Sequence, residues 1–227
     1  MRDCEINVDQ AVENNIAWCK LICEAYGKRS DTTEKVWALT SEAPTYYPEL
    51  ITMNRKTKDT DILEFLNLNH ISSVKDSYAT LQLASYGYQM LFEAEWICYP
   101  TLNEYKPDQY EWNIVRTEKE FEHWKNLTGL EIPSRLLEID GVNFFFIDCP
   151  SKFAAFIVNK AANVIGISNV FSSDMDITGL WRSIPQAVSK EFPGVPLVGY
   201  EQGESLSAAH ASGWTSIGPL RVWIKFR

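Results

Sequence analysis

The sequence predicts an α/β protein in which helices pack on the faces of a mixed β-sheet. Two observations carry this prediction. In the second half of the chain, helical spacing and short apolar runs alternate in the order β-α-β-β-β-α-β-α-β. Three of these strands are joined by tight turns, whereas the two later strands each follow a helix. The sheet is therefore predicted to begin antiparallel and to become parallel.

The first half is predicted to contain one long helix followed by shorter elements. Apolar side chains recur at helical spacing over residues 8–26, and Gly27 follows where a helix commonly ends. Strands are predicted at residues 36–39 and 50–53, and Asp59 or Thr60 can cap a short helix after them. The remaining elements are a helix over 76–85 and a strand over 89–98.

In the second half, the pair Thr117 and Glu120 forms a capping box that predicts the start of a helix over 118–126. Pro185 lies inside a second helical stretch and predicts either a kink there or a helix that begins at this residue. The complete set of predicted elements is a strand at 111–116, the helix at 118–126, strands at 142–148, 153–159 and 164–171, a helix at 177–191, a strand at 197–200, a helix at 204–212 and a strand at 214–225.

Residues 100–107 are polar and bounded by prolines, which is typical of a linker. We therefore predict two regions, an N-terminal α/β region over 1–105 and a second domain over 106–227.

Composition narrows the classes of function. A formal net charge of −9 argues against a nucleic-acid partner, which requires Lys and Arg to displace counterions. No apolar run is long enough to cross a membrane, and the start of the chain is unlike a secretory signal. The 5 cysteines are scattered without a second metal-binding pair, so we expect no metal site and reduced thiols in a cytoplasmic protein. A homodimer is one assembly that the sequence allows.

The last predicted helix and strand are joined by Gly213 and Trp214, and Gln202, Ser205 and Ala209 precede them. In this segment the chain resembles the Gcn5-related N-acetyltransferase (GNAT) family. Gly213 and Trp214 match the glycine and aromatic residue that close the family's tail, while the three preceding residues stand where the family has Asn, Ala and Tyr. Stretches similar to those of a group of uncharacterised bacterial GNAT-like proteins are found at residues 73–78, 92–96, 198–201 and 218–223. The resemblance implies a GNAT-like mixed sheet flanked by helices.

A short internal similarity in the sequence, which we call the internal echo, suggests that this architecture occurs twice. Residues 84–88, followed by Trp96 and Ile97, parallel residues 211–214, followed by Trp223 and Ile224. Each copy is a helix end rich in small residues, a glycine–aromatic step and a strand that ends in Trp-Ile. The sequence thus predicts a degenerate tandem GNAT; the alternative is a coincidence between two ordinary helix-to-strand corners.

The resemblance implies acetyl-CoA or another acyl-CoA as the cofactor. The family holds the CoA pyrophosphate on backbone amides of a glycine-rich loop that opens a helix. The corresponding stretch here is residues 171–179, in which Phe171, Ser172 and Ser173 are the candidate cofactor contacts. This stretch has one glycine and two aspartates, Asp174 and Asp176, which suit a helix cap better than a pyrophosphate.

A substitute phosphate site is predicted in the first half. Arg55, Lys56 and Lys58 lie between a predicted strand and a predicted helix, the same topological place as the family's phosphate loop. The alternative is a solvated basic turn.

The candidate catalytic residues lie at the ends of two predicted strands, 197–200 and 164–171. Glu201 is the candidate base or amine-binding carboxylate, Tyr200 the substitute acid, and Asn169 a residue that could orient a carbonyl group. The resemblance implies an acyl-CoA-dependent N-acyltransferase that acts on a small amine. The alternative is a non-catalytic GNAT-fold binding protein that has lost the usual acetyl-CoA site.

Overall fold

The computed structural model describes residues 6–68, 71–102 and 110–226. The helices in these ranges are α1 (Val8–Ala25), α2 (Asp59–Leu66), α3 (Glu118–Thr128), α4 (Ile177–Glu191) and α5 (Gly203–Ala211), with short 3₁₀ helices at Leu83–Tyr86 and Ser134–Glu138. The strands are β1 (Ser30–Thr32), β2 (Val36–Leu39), β3 (Leu50–Thr52), β4 (Ser73–Asp76), β5 (Gln89–Tyr99), β6 (Asn113–Ile114), β7 (Val142–Cys149), β8 (Lys152–Ala161), β9 (Val164–Ser173), β10 (Leu197–Glu201) and β11 (Thr215–Ile224).

The chain forms two compact units, and both are discontinuous in sequence. Unit 1 contains the residues up to Asn14 together with Trp96–Ile217, and unit 2 contains Asn15–Glu95 together with the residues from Gly218 onward. The predicted division between 105 and 106 falls outside the described residues. The units exchange segments, so neither coincides with one half of the sequence.

In unit 1 the strands neighbour one another in the order β5-β10-β9-β8-β7-β6. The series β6, β7, β8 and β9 is antiparallel, and β10 pairs parallel with β9 after the α4 crossover. The prediction of an antiparallel start followed by a parallel strand is confirmed for this unit.

The core of unit 1 lies where α4 and α5 pack on the sheet. Trp181, Ile184 and Val188 of α4 are buried there, as are Ala208 and Ala209 of α5. The helix α4 runs on both sides of Pro185. The alternative in which this helix begins at Pro185 is therefore wrong.

The start of α1 is anchored on the β8–β9 hairpin through a side-chain amide. Asn14 Nδ2 donates to the carbonyl oxygens of Asn159, at 3.1 Å, and Ala161, at 3.2 Å. Asn159 Nδ2 in turn donates to the carbonyl oxygen of Asn14 at 3.3 Å. A side chain on Gly166 would overlap the Asn14 amide. Only glycine at this position leaves room for the polar anchor.

In unit 2 the strands neighbour one another in the order β1-β2-β3-β4-β11-β5. β1, β2 and β3 are antiparallel, β4 pairs parallel with β3 after α2, and β11 pairs antiparallel with β4. The prediction that the sheet stays parallel to the end of the chain is therefore wrong for the last strand, β11, which is antiparallel to β4.

The helix predicted over 76–85 is wrong over most of its range, and only its end falls in a helical segment, the 3₁₀ helix Leu83–Tyr86. Residues up to Asp76 form β4, and the fully buried Asp76 carboxylate accepts the backbone N–H of Leu81 at 2.8 Å. This hydrogen bond holds a loop, because it satisfies an amide that a helix would bond to a carbonyl. Burial is the largest effect on the pKa of Asp76 and raises it. Lys75, on the same strand, is buried and donates to Asn15 Oδ1 at 3.0 Å.

The two halves of the chain follow one plan, and we call each copy a repeat: the first contains β1 to β5 with α2, and the second contains β7 to β11 with α4 and α5. Each has three antiparallel strands, a helix, a strand parallel to the third, a helical segment and a long last strand. The helical segments end next to Gly87, with φ 83°, and Gly213, with φ 94°, the left-handed region that favours glycine. The internal echo in the sequence therefore marks a structural repeat.

The last strand of each repeat enters the other unit. Residues from Trp96 onward in β5 belong to unit 1, where Ile97 is part of the buried core. Residues of β11 from Gly218 onward belong to unit 2, where Trp223 is buried with the apolar side chains of β2, β3 and β4. Each unit thus uses a strand from the other half of the sequence.

We expect neither half of the chain to fold without the other. A fragment that ends at residue 102 and a fragment that begins at residue 110 each lack a strand that their unit requires, so each alone should melt without a cooperative transition. Mixing the two fragments should restore cooperative melting, measured by circular dichroism and size-exclusion chromatography. Cooperative unfolding of either fragment alone would contradict the strand exchange.

Candidate functional site

The candidate site lies at the carboxyl ends of two neighbouring parallel strands of unit 1. β9 and β10 pair through Ile165 with Leu197 and through Gly166 with Val198, and both strands then continue to their own ends. In open α/β sheets, ligands bind in the crevice outside the carboxyl ends of parallel strands. This end of the sheet is therefore where a ligand of unit 1 is expected.

A β-bulge in β9 lies beside this end. Ala155 and Ile157 of β8 pair with Phe171 and Ser168, so one residue of β8 faces two residues of β9. Asn169 is one of these two, and its φ of 53° is left-handed, which asparagine adopts more readily than most residues. Because a bulge bends its strand, β9 changes direction at Asn169.

Glu201 is the last residue of β10, and its carboxyl group is largely buried. Burial raises the pKa of Glu201 from 4.5 to about 7, because the charged form loses its hydration. A hydrogen bond from the backbone N–H of Gln202 lowers the pKa, but by less than burial raises it. Within the described residues, Glu201 forms no ion pair with Lys, Arg or His.

Tyr200, the predicted acid, lies on the opposite face of the sheet from Glu201. Side chains alternate along a strand, so Glu201 shares the face of Leu197, which packs in the core beneath α4 and α5. Tyr200 instead contacts Trp96 edge-on, with 5.4 Å between the ring centroids. The structure does not bring the predicted acid and the predicted base together.

The helix α5 supplies no replacement for the tyrosine that the family carries. Ala209 stands at that position and is fully buried in the core. His210 is exposed, and its Nε2 lies 2.8 Å from Ser216 Oγ. Neither residue supplies an acidic group at the carboxyl ends of β9 and β10.

The predicted cofactor contacts lie in a strand and not in a loop. Phe171, Ser172 and Ser173 are the last residues of β9 and pair with Ala155, Ala154 and Phe153 of β8. The connection to α4 consists of only three residues, Asp174, Met175 and Asp176. It has no glycine, and Asp174 adopts the left-handed φ of 55°.

Asp176 caps α4 with both carboxylate oxygens. Oδ1 accepts the N–H of Thr178 at 3.1 Å, and Oδ2 accepts the N–H of Gly179 at 3.0 Å. These are the amides that would hold the pyrophosphate of CoA at the start of a helix. The residues present at α4 therefore do not fit CoA in the pose that the family uses.

The basic turn Arg55, Lys56 and Lys58 lies in unit 2 between β3 and α2. It occupies the same position in its repeat as the connection Asp174–Asp176 in unit 1. The Arg55 guanidinium lies 5.5 Å from the ring centroid of Tyr78, and the backbone N–H of Lys58 donates to Asp61 Oδ2 at 2.8 Å. A role of these bases in phosphate binding stays a prediction.

Two features of unit 1 were not found from the sequence. One is an aromatic series in which Trp214 lies 5.5 Å from Tyr99 and 5.2 Å from Trp181, measured between ring centroids, beside the end of α5. The other is an open groove between β6 and α4, lined in part by Trp112 and Lys190. The glycine–aromatic step was the only sequence signal for the first feature, and the second had none.

The buried thiols of Cys19 and Cys23 add no reactive group to the site. Burial raises the pKa of Cys19, and it raises the pKa of Cys23 to about 12, so both thiols stay protonated and unreactive. Among the described residues there is no group of three or more His, Cys, Asp or Glu side chains that could hold a metal ion. In the same residues, no helix is long and apolar enough to span a membrane.

Comparison with solved structures identifies the fold. A functionally unknown conserved protein from Staphylococcus epidermidis superposes with a TM-score of 0.61 at 9% sequence identity, over 87% of this chain and 94% of that chain. A protein described as a GNAT-family acetyltransferase, from Novosphingobium aromaticivorans, superposes with a TM-score of 0.57 at 10% identity, over 92% of this chain and 96% of that chain. No protein-family model and no curated protein matches the sequence.

The protein has a GNAT-like fold, a mixed α/β sheet flanked by helices. Its strand order and internal repeat give this fold a tandem form, as the sequence echo predicted.

Replacing Glu201 with Gln should stabilise the protein at neutral and alkaline pH. The pKa of Glu201 is about 7 in the folded protein and 4.5 without burial, so the native state loses stability as the pH rises from about 4.5 to about 7. The variant lacks this loss and should be more stable by about 1–3 kcal/mol at a pH of about 8, with no gain at a pH of about 4.

Chemical denaturation of both proteins across this pH range measures the difference. The matched control is Glu204→Gln, since Glu204 is an exposed carboxylate in the first turn of α5. Equal pH profiles for Glu201→Gln and the unmodified protein would show that Glu201 is ionised normally.

Proposed function

We propose that unit 1 binds a small amine at the carboxyl ends of β9 and β10, with Glu201 as the carboxylate that receives the ammonium group. The observation that carries the proposal is the position of Glu201. It ends the parallel strand at the place where this class of sheet binds ligands, and it has no basic partner among the described residues.

The electrostatics of this end of the sheet favour a cation. Asp174 and Asp176 are carboxylates in the connection that follows β9, and Glu201 ends β10. The 227-residue chain as a whole carries a net charge of −9. An ammonium group next to Glu201 would compensate the charge that burial disfavours, and the pair would be stronger than an exposed pair because it is partly shielded from water.

Amine affinity should rise with pH between about 6 and about 8. In this range Glu201 loses its proton, while an alkylamine stays protonated because its pKa is near that of lysine. Calorimetric titration with n-butylamine and with spermidine, in buffers of different ionisation enthalpy, should detect proton release on binding below a pH of about 7. Butanol, which has no charge, is the matched ligand control.

Two variants test the assignment. Glu201→Gln should weaken amine binding by at least about tenfold and remove its pH dependence, because the neutral amide offers no charge. Glu204→Gln should leave both unchanged. If Glu201→Gln binds the amine as the unmodified protein does, the amine site is elsewhere.

N-acyl transfer to the bound amine is the second candidate function. A carboxylate whose pKa is near 7 is matched to a base that removes a proton from an ammonium group at neutral pH. An acyl donor would have to bind by contacts other than the α4 amides, because Asp176 occupies them.

Thiol release from acetyl-CoA in the presence of the amine panel tests this second function. Turnover that depends on the amine and is abolished in Glu201→Gln, with no loss of folding stability, would support it. Absence of turnover together with saturable amine binding would leave the binding function standing and exclude acetyl transfer to the amines tested.

A further inference from the structure

We infer that Asp176 is a specificity residue that excludes phosphate-bearing ligands from the start of α4. Its carboxylate takes the place that a phosphate group would occupy. This inference concerns the anion specificity of the same sheet end and does not depend on amine binding.

The hydrogen bonds of the first turn of α4 are the first part of the argument. The N–H groups of Thr178 and Gly179 donate to the Asp176 carboxylate, and the N–H of Leu180 donates to the Asp176 carbonyl oxygen at 2.9 Å. A helix start binds an external anion through these same first-turn amides. Two of these amides, those of Thr178 and Gly179, are bonded to the Asp176 carboxylate, whereas the Leu180 bond is the first backbone bond of the helix itself.

The charge of the connection before α4 is the second part of the argument. The connection from β9 to α4 contains two carboxylates, Asp174 and Asp176, and no basic residue. A phosphate that approached the α4 amides would therefore have to displace one carboxylate and lie close to another. Like charges at such a short distance repel each other.

The repeat supplies a contrast within the same chain. At the equivalent place in unit 2, the residue before α2 is Lys58, whose side chain makes no cap hydrogen bond to the helix amides, and Arg55 and Lys56 precede it. The acidic cap is thus a property of the α4 connection and not a requirement of this corner of the fold.

The test uses inorganic pyrophosphate as the probe, followed by CoA, with the full chain. Asp176→Ser and Asp176→Asn each keep a good helix-capping side chain and remove the charge. A neutral cap holds the amides less strongly than a carboxylate does, so a pyrophosphate can displace it. We expect both variants to bind pyrophosphate saturably at millimolar concentrations, at least about tenfold more tightly than the unmodified protein. The backbone amide resonances of Thr178 and Gly179 should shift on binding, and the binding should weaken with salt.

The matched control is Asp174→Ser, which removes a carboxylate from the same connection but leaves the α4 cap in place. It should bind pyrophosphate no more than slightly better than the unmodified protein. Using two capping substitutions keeps the test decisive if one of them impairs folding.

Two results would overturn the inference. One is binding of pyrophosphate or CoA to the unmodified protein with shifts at Thr178 and Gly179. The other is a folded Asp176→Ser or Asp176→Asn protein that gains no affinity for pyrophosphate. Neither result bears on whether the amine binds at Glu201, so the two ideas fail separately.

Discussion

The structure depends on strands that the two repeats exchange. β5 starts in unit 2 and ends in unit 1, while β11 starts in unit 1 and ends in unit 2. The apolar ends of these strands, Ile97 and Trp223, are buried in cores built mainly by the other repeat. A sheet that lacks such a strand exposes unpaired backbone groups and apolar side chains, so each unit requires the other half of the chain.

The two repeats share a backbone plan but differ in chemistry at equivalent positions. In unit 1, the connection before α4 is acidic, and Asp176 closes the helix start. In unit 2, the connection before α2 is basic. The parallel strand of unit 1 ends in the largely buried Glu201, whereas β4 of unit 2 ends in Asp76, whose carboxylate is used by the loop that follows it. Within the described residues Glu201 has no basic partner, and its carboxylate is the centre of the proposed amine site.

The likeness to GNAT structures concerns the fold, and the local chemistry differs from what that fold commonly carries. The tyrosine position holds the buried Ala209, and the amides at the start of α4 are bonded to Asp176. Tyr200 cannot restore the missing acid beside Glu201, because adjacent strand residues face opposite sides of the sheet. The amides of Thr178 and Gly179 at the start of α4 are therefore not free to hold CoA in the pose that is usual for this fold.

The sequence by itself determined most of the secondary structure and the order of its elements. Periodic apolar positions predicted α1, α4 and the strands β7, β8 and β9, and the Thr117–Glu120 capping box marked the start of α3, because these signals are local. The helix predicted over 76–85 failed, since a buried carboxylate, Asp76, bonds the backbone of a loop there and burial depends on the whole fold. Asp176 as a cap and Glu201 as a candidate carboxylate were likewise readable from helix-start and strand-end signals.

Tertiary structure alone decided the exchange of the last strands and the shift in the pKa of Glu201. Each depends on which residues come together from distant parts of the chain. The local sequence pattern cannot specify which of the two cores buries the apolar end of an exchanged strand, because both units offer an equivalent position. The pKa depends on how much water reaches the carboxyl group, and that is set by the elements packed around the end of β10.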